Sequence, residues 1–366
     1  MGKRYMKEKE KKEGKNHVLT VTLILLIIFC ASIVMGVMYY NEINKPVNPS
    51  DSIISDNTND TNNEEPPVEE IPQPPKEVQI FKGEDRPIAV MIDTEKPAWP
   101  HAGLSDAYLL YEIIIEGGES RIMALFKGQD TEKIGPVRSS RHYFLDYVME
   151  NDAIYAHFGW SPLAQSDIKT YGINNINGIY DSYYWRVEPL SSYHNAFTSM
   201  ENILKFANKK KYKTTSTDKG VFTYSAEDVK LYNPQVANTV KIKYSGLHNV
   251  TYTYNEKDKV YERKMRGIAH KDRYTDEQYV AKNIVVCYVK NSLLNDPENK
   301  GRQELHNIGT GKGVYITNGE YIDITWKKQS REVKTKYYDL QGNEIVLNDG
   351  ITWVQIVPVD NKIEIE

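Results

Sequence analysis

From Arg86 onward the apolar residues of this chain follow two rhythms. In the first, short unbroken runs stand between Gly-, Pro- and Ser-marked breaks: Ile88 to Ile92, Leu109 to Ile115, Ile122 to Phe126 and Ala153 to Ala156. Runs this short, bounded by turn residues, predict strands buried on both faces. Glu116-Gly117-Gly118-Glu119 links the second and third runs as a hairpin. Ser139 or Ser140 offers an N-cap for a helix through Met149, and Ser161-Pro162 offers another that Gly172 closes. Thr198 to Glu201 reads as a capping box for a third helix to about Ala207.

Beyond Pro234 the period becomes two. Val240, Ile242 and Tyr244 alternate with Lys241 and Lys243, and Ile322, Ile324 and Trp326 alternate with Asp323 and Thr325. Half-buried antiparallel strands have this alternation. Asn318-Gly319 is a strong hairpin signal, and a second turn falls at Glu256 to Lys259. The expected fold class is α+β, with mixed sheets and a few helices over residues 78–233 and mainly antiparallel β over residues 234–366.

The N-terminal part has a different pattern. Val18 to Tyr40 is a run of 23 residues without a charge, long enough to cross a bilayer as a transmembrane helix. It is too long for a cleaved signal peptide and ends on bulky Tyr39 and Tyr40 rather than on a small-residue cleavage site. The basic tail before it, residues 1–17, predicts a cytoplasmic N-terminus and an extracytoplasmic remainder. Residues 41–77, acidic and with seven prolines, read as a disordered stalk. The expected localisation is therefore the cell membrane, single-pass, with the folded domains outside.

Charge narrows the choice of partner. The formal net charge is −4, and most of the imbalance lies in the basic tail and the acidic stalk. A folded part so close to neutral argues against a nucleic-acid-binding surface on charge alone. The two cysteines, Cys30 in the apolar run and Cys287 in a predicted strand, allow neither a disulfide framework nor a cysteine zinc site.

The densest chemistry lies between Glu116 and Val148. Arg138 and Arg141 flank the expected helix start, where free backbone N–H groups and two guanidiniums would clamp an anion. A cation at that end of a helix needs a compensating partner. Asp93, Asp106 and Glu116 are available for an internal salt bridge instead. Arg121 lies beside the Gly-Gly turn, and His157 ends a strand next to Gly159 and Ser161, with no Gly-x-Ser-x-Gly elbow nearby. Arg138, Arg141, Arg121, Glu116 and His157 are the candidate ligand-binding set. Trp99, Trp160 and Trp185 offer stacking faces, and His270, Asp272 and Asp276 share one loop at near-ligand spacing.

The segments RPIAVMID, GLSDAYLLYE, EGGESRIMALF, GPVRSSRHYF, AIYAHFG and YHNAFTS, then VAKNIVV, GRQELHNIGTGKG, ITWKK and DGITWVQIVP, resemble the YerB-like lipoprotein family. That resemblance covers nearly everything after Arg86. It implies a two-part α+β fold and an extracytoplasmic, membrane-attached location of Gram-positive type, and it supplies no reaction. Cys30 follows Ile27, Ile28 and Phe29, so the lipobox of lipoprotein members is missing and the anchor expected here is the helix.

A second likeness runs through Asp93, Ser105-Asp106-Ala107, the arginine loop and Tyr155 to Ile173, which are similar to LytR-CpsA-Psr phosphotransferases. It implies polymer transfer from a polyprenyl pyrophosphate, with Asp93 and Asp106 as ligands for Mg²⁺ and Arg138 and Arg141 on the pyrophosphate. The fuller arginine signature of those enzymes is not present. The expected function is accordingly an envelope binding or scaffolding protein without a cofactor, whose partners are a cell-wall polymer or envelope proteins. The phosphotransferase and a protein-interaction module using edge strands are the alternatives.

Overall fold

The structure, a computed structural model, describes residues 76–81 and 83–366. The expected basic tail, membrane helix and most of the stalk lie outside the described residues. Among the described residues no helix is long and apolar enough to cross a membrane. Gln73–Glu366 form one compact unit, mixed α+β with few helices and mostly β-sheet.

The unbroken runs form β1 (Ile88–Asp93), β2 (Leu109–Ile114), β3 (Ser120–Phe126) and β4 (Ile154–His157), followed by β5 (Asn175–Asn177). The alternating runs form β6 (Thr239–Lys243), β7 (Asn249–Asn255) and β8 (Val260–Met265). Then come β9 (Asn283–Leu293), β10 (Gln303–His306), β11 (Gly309–Thr317), β12 (Glu320–Lys328), β13 (Lys336–Asp339), β14 (Thr352–Pro358) and β15 (Ile363–Ile365).

A twelve-stranded sheet runs β13-β12-β11-β9-β14-β2-β3-β1-β4-β5, with β10 and Gln235–Val236 attached to β9 and β12. Strands from both halves of the sequence therefore share it. The seam is β14, which lies parallel to β9 on one side and to β2 on the other. Its pairing departs from the antiparallel expectation for this half, and its side chains give the reason. Trp353 and Val357 enter one core while Val354 and Ile356 enter the other. A strand buried on both faces suits a position between parallel neighbours.

The two cores lie on opposite faces of this sheet. Ile88, Val90 and Ile92 of β1 join one core with Val240, Tyr252 and Tyr261 of a six-stranded sheet built around β6, β7, β8 and β15. Ala89 and Met91 join the other, with Phe144, Leu145 and Val148 of helix α1 (Phe144–Glu150). Each Val, Ile, Leu, Met or Phe among them taken wholly out of water contributes roughly 1.5–3 kcal/mol.

Helix α1 begins later than its sequence suggests. Ser139 and Ser140 are not its caps: the Ser140 N–H donates to the Gly159 carbonyl at 2.9 Å and the Ser139 hydroxyl to the Phe158 carbonyl at 3.0 Å. The Arg138 N–H donates to the Met91 carbonyl at 2.9 Å. Residues 138–140 thus bridge the ends of β1 and β4, and the two arginines do not sit at a helix start. Helix α2 (Pro162–Thr170) is capped by Ser161, which accepts from the Ala164 N–H, and α3 (Met200–Lys209) by Ser199, which accepts from the Asn202 N–H.

Candidate functional site

β1 delivers Asp93 to its end with the carboxylate buried. A carboxylate only accepts, so His194 Nδ1 carries a proton and donates to Asp93 Oδ2 at 2.8 Å. Arg138 Nε lies 3.2 Å from the same oxygen, and Arg138 Nη2 lies 3.6 Å from Glu95 Oε1. Burial alone would raise the Asp93 pKa. The His194 hydrogen bond and the charges of Arg121 and Arg138 outweigh it and hold the carboxyl below its ordinary value. The same bond raises His194 above the usual histidine value. His194 Nε2 makes no hydrogen bond among the described residues, and both His194 and Glu95 are partly exposed. This rim faces solvent with unused donors and acceptors.

Asp93, Glu95 and His194 bring their ligand atoms within 4.8 Å of one another. Asp106 does not belong to this group: it accepts from the Thr131 hydroxyl at 2.8 Å. Arg141 and Glu116 form a bidentate pair. Burial pushes the Glu116 pKa up, but Arg141 overcomes that and holds it at about 2. Arg121 donates to the Ser139 carbonyl at 2.5 Å, and burial lowers its pKa to about 10. His157 is buried, with Nδ1 against the Gly159 carbonyl at 2.8 Å and Nε2 against Asn175 Oδ1 at 3.2 Å, and burial lowers its pKa to about 4. Of the five candidate ligand residues, only Arg138 reaches the open rim.

Behind the rim lies a closed polar network. Glu112, buried in the middle of β2, accepts from Arg263 Nη2 at 2.6 Å, from His248 Nε2 at 2.8 Å and from the Ser120 hydroxyl at 2.8 Å. Burial alone would raise its pKa, yet these partners hold it at about 2. Arg263, also fully buried, packs its guanidinium on the Trp353 ring at 4.3 Å. The other end of that guanidinium donates to His270 Nδ1.

Arginine can only donate, so every tautomer downstream is fixed. His270 Nδ1 accepts, leaving the proton on Nε2, which donates to His101 Nδ1 at 2.6 Å. His101 Nε2 then donates to the backbone carbonyl of Asp93 at 2.5 Å. Burial lowers His101 to about 4, and burial together with the Arg263 charge lowers His270 well below its ordinary value. Both rings are neutral at pH 7. The relay runs from β8 in the second half of the chain to the residue at the centre of the rim.

His270, Asp272 and Asp276 do not converge. His270 turns into the relay, Asp272 accepts from the Gly103 N–H and the Tyr279 hydroxyl, each at 2.7 Å, and Asp276 pairs with Lys271. The residues that sequence reasoning passed over are Glu95, His194, Glu112, His248 and Arg263. Glu112 carried a signal, since it interrupts the apolar run Leu109 to Ile115. A charge placed there must be paired within the core. Nothing local marked His194, which lies 101 positions from Asp93.

Residues 76–213 match the family described as Protein of unknown function (DUF3048) N-terminal domain, and residues 240–354 match its C-terminal domain. YerB of Bacillus subtilis (strain 168), a candidate lipoprotein, is 32% identical over 282 residues, which is 75% of this chain and 82% of that protein. The crystal structure of the YerB protein from Bacillus subtilis superposes with a TM-score of 0.68 at 29% identity, covering 77% of this chain and 94% of the other. The chain belongs to the YerB-like family of DUF3048 proteins, a family of unknown function.

Proposed function

We propose that the chain is a single-pass, membrane-attached extracytoplasmic protein whose folded unit binds a glycan or anionic ligand of the cell envelope without transforming it. The open polar rim at the end of β1 carries this reading: Glu95 and His194 keep free atoms beside a buried Asp93 that holds them in place. Carboxylates accept from the hydroxyl pairs of a sugar while Arg138 and His194 donate. Trp99, on the loop that begins at Glu95, offers an aromatic face nearby. The location draws on the basic tail, the apolar run and the candidate-lipoprotein relative.

Titrating soluble cell-wall glycan fragments into the Gln73–Glu366 unit tests it. Glu95→Gln and His194→Ala are expected to weaken binding at least tenfold. Equal binding by both variants would overturn the assignment.

The metal-dependent phosphotransferase has one observation in its favour, the clustering of Asp93, Glu95 and His194. A nitrogen with two carboxylates suits a transition metal better than Mg²⁺. Arg138 already faces both carboxylates, so a cation would have to displace it. Turnover of a polyprenyl-pyrophosphate-linked polymer that depends on added metal and on His194 would establish this reading in place of the first.

A further inference from the structure

The large sheet opens where β9 changes partner. Up to Cys287, β9 pairs with β11 through Gly313, and from Lys290 onward it pairs with β10 through His306. Gly309 to Lys312 of β11 stay with β12 alone. Tyr288 and Val289 lie between the two pairings and pair with a strand only on their other side, with Val357 and Pro358 of β14. The parting leaves a groove of about 500 Å³.

Lys290, Lys312, Lys362 and His306 line this groove, together with Tyr288 and Trp326. Among the described residues no carboxylate lines it. The three lysines are exposed and none forms an ion pair among the described residues. The Trp326 indole is fixed by its Nε1–H, which donates to the Tyr288 carbonyl at 3.2 Å. It reaches that position because residue 311 is glycine; a Cβ there would lie 2.4 Å from a ring atom.

We propose that this groove binds an organic phosphate ester. Three like charges brought together without a counter-charge repel one another, and an anion among them relieves that repulsion. Lysines bind phosphate as flexible point charges, without the fixed fork of arginine. The apolar share of the lining takes the carbon skeleton. The site lies on β9, β11 and the turn after β14, and it is independent of the Asp93 rim.

The test is a titration of the Gln73–Glu366 unit with glycerol 3-phosphate, with inorganic phosphate and with phosphatidylglycerol vesicles. The ester is expected to bind more tightly than inorganic phosphate. The triple variant Lys290→Gln, Lys312→Gln, Lys362→Gln is expected to lose at least tenfold in affinity with an unchanged unfolding midpoint, because these side chains are exposed and unpaired. Lysine-dependent binding of the vesicles but not of the soluble ester would place the ester in a lipid headgroup. Undiminished binding by the triple variant, or no binding of either ester form by the natural chain, would overturn the proposal. Glu95→Gln and His194→Ala are expected to leave ester binding intact; loss in those variants would assign it to the rim instead.

Discussion

Two clusters in this protein use the same three kinds of side chain and reach opposite states. Around Glu112, a carboxylate, an arginine and histidines are fully buried and joined by directed hydrogen bonds. Around Asp93, a carboxylate, an arginine and a histidine meet at the surface with atoms left over. Residue type therefore says little about role. What separates the two is whether the atoms left over reach solvent: among the described residues of the inner cluster His248 Nδ1 lacks a hydrogen-bond partner but is buried, whereas His194 and Glu95 keep theirs at a partly exposed rim. The inner cluster is structural by that criterion, and the outer one is the site proposed for a ligand.

The comparison breaks most readily at Arg263. Arg263→Met leaves Glu112 buried without its main counter-charge and is expected to cost about 3–5 kcal/mol, read from urea unfolding. A loss below about 1 kcal/mol would mean that Glu112 is not held as described.

Acid is expected to loosen the same interior. His101 and His157, at about 4 when folded, fall below the ordinary histidine value, so the unfolded chain binds more protons between pH 6.5 and 4. Stability is whole above pH 6.5 and falls as the pH drops through that window. Glu112 and Glu116, at about 2, extend the loss from pH 4.5 downward. A tenfold difference in proton affinity between the folded and unfolded chain corresponds to about 1.4 kcal/mol. A flat stability profile between pH 7 and 4 would contradict the buried neutral histidines.

Arg141→Gln sharpens the contrast further. It removes charge-assisted bonds to Glu116 and is expected to cost about 1–3 kcal/mol in urea unfolding, with ligand binding at the rim unchanged. Loss of binding with full stability would instead make Arg141 a clamp.

The smallest effect on stability belongs to the rim. Glu95→Gln is expected to change it by less than about 0.5 kcal/mol, because Glu95 is partly exposed and lies 3.6 Å from Arg138, while binding falls at least tenfold. In NMR titration His194 should lose its proton at a pH above the ordinary histidine value, and Asp93→Asn should bring it back down. A titration unaffected by Asp93→Asn would dissolve the pair.

Much of the local structure was legible in the chain. The unbroken run at Ile88 to Ile92 became a strand buried on both faces, and Glu116 to Glu119 became a hairpin because Gly117 and Gly118 both take positive φ. Ser161 caps its helix as its spacing suggested, whereas the capping box from Thr198 to Glu201 did not form: the Thr198 hydroxyl donates to the Tyr183 carbonyl and Ser199, one residue later, is the cap. Ser139 and Ser140 cap no helix, because their groups found partners at Phe158 and Gly159. A cap is a local bond, and a tertiary bond of equal strength can replace it.

The candidate site was legible only in fragments. Asp93 and Arg138 stood out as chemistry at element ends, and the paired carboxylate that a misplaced arginine would need was identified in kind as well, with Glu116 taking Arg141 and Asp93 facing Arg138. Periods of two and 3.6 fix which side of an element a residue occupies, since they arise from the backbone itself. They carry nothing about which distant element will face it. That Arg263 meets Glu112 followed from β14 uniting the two halves in one sheet and from the second sheet covering its face; that His194 meets Asp93 followed from Ala196 and Thr198 bonding to Val137 and Ile134, with Val137 bridged to Ile92 of β1. Pairings over such separations are chosen by the summed burial of whole faces, so only the tertiary structure decided them.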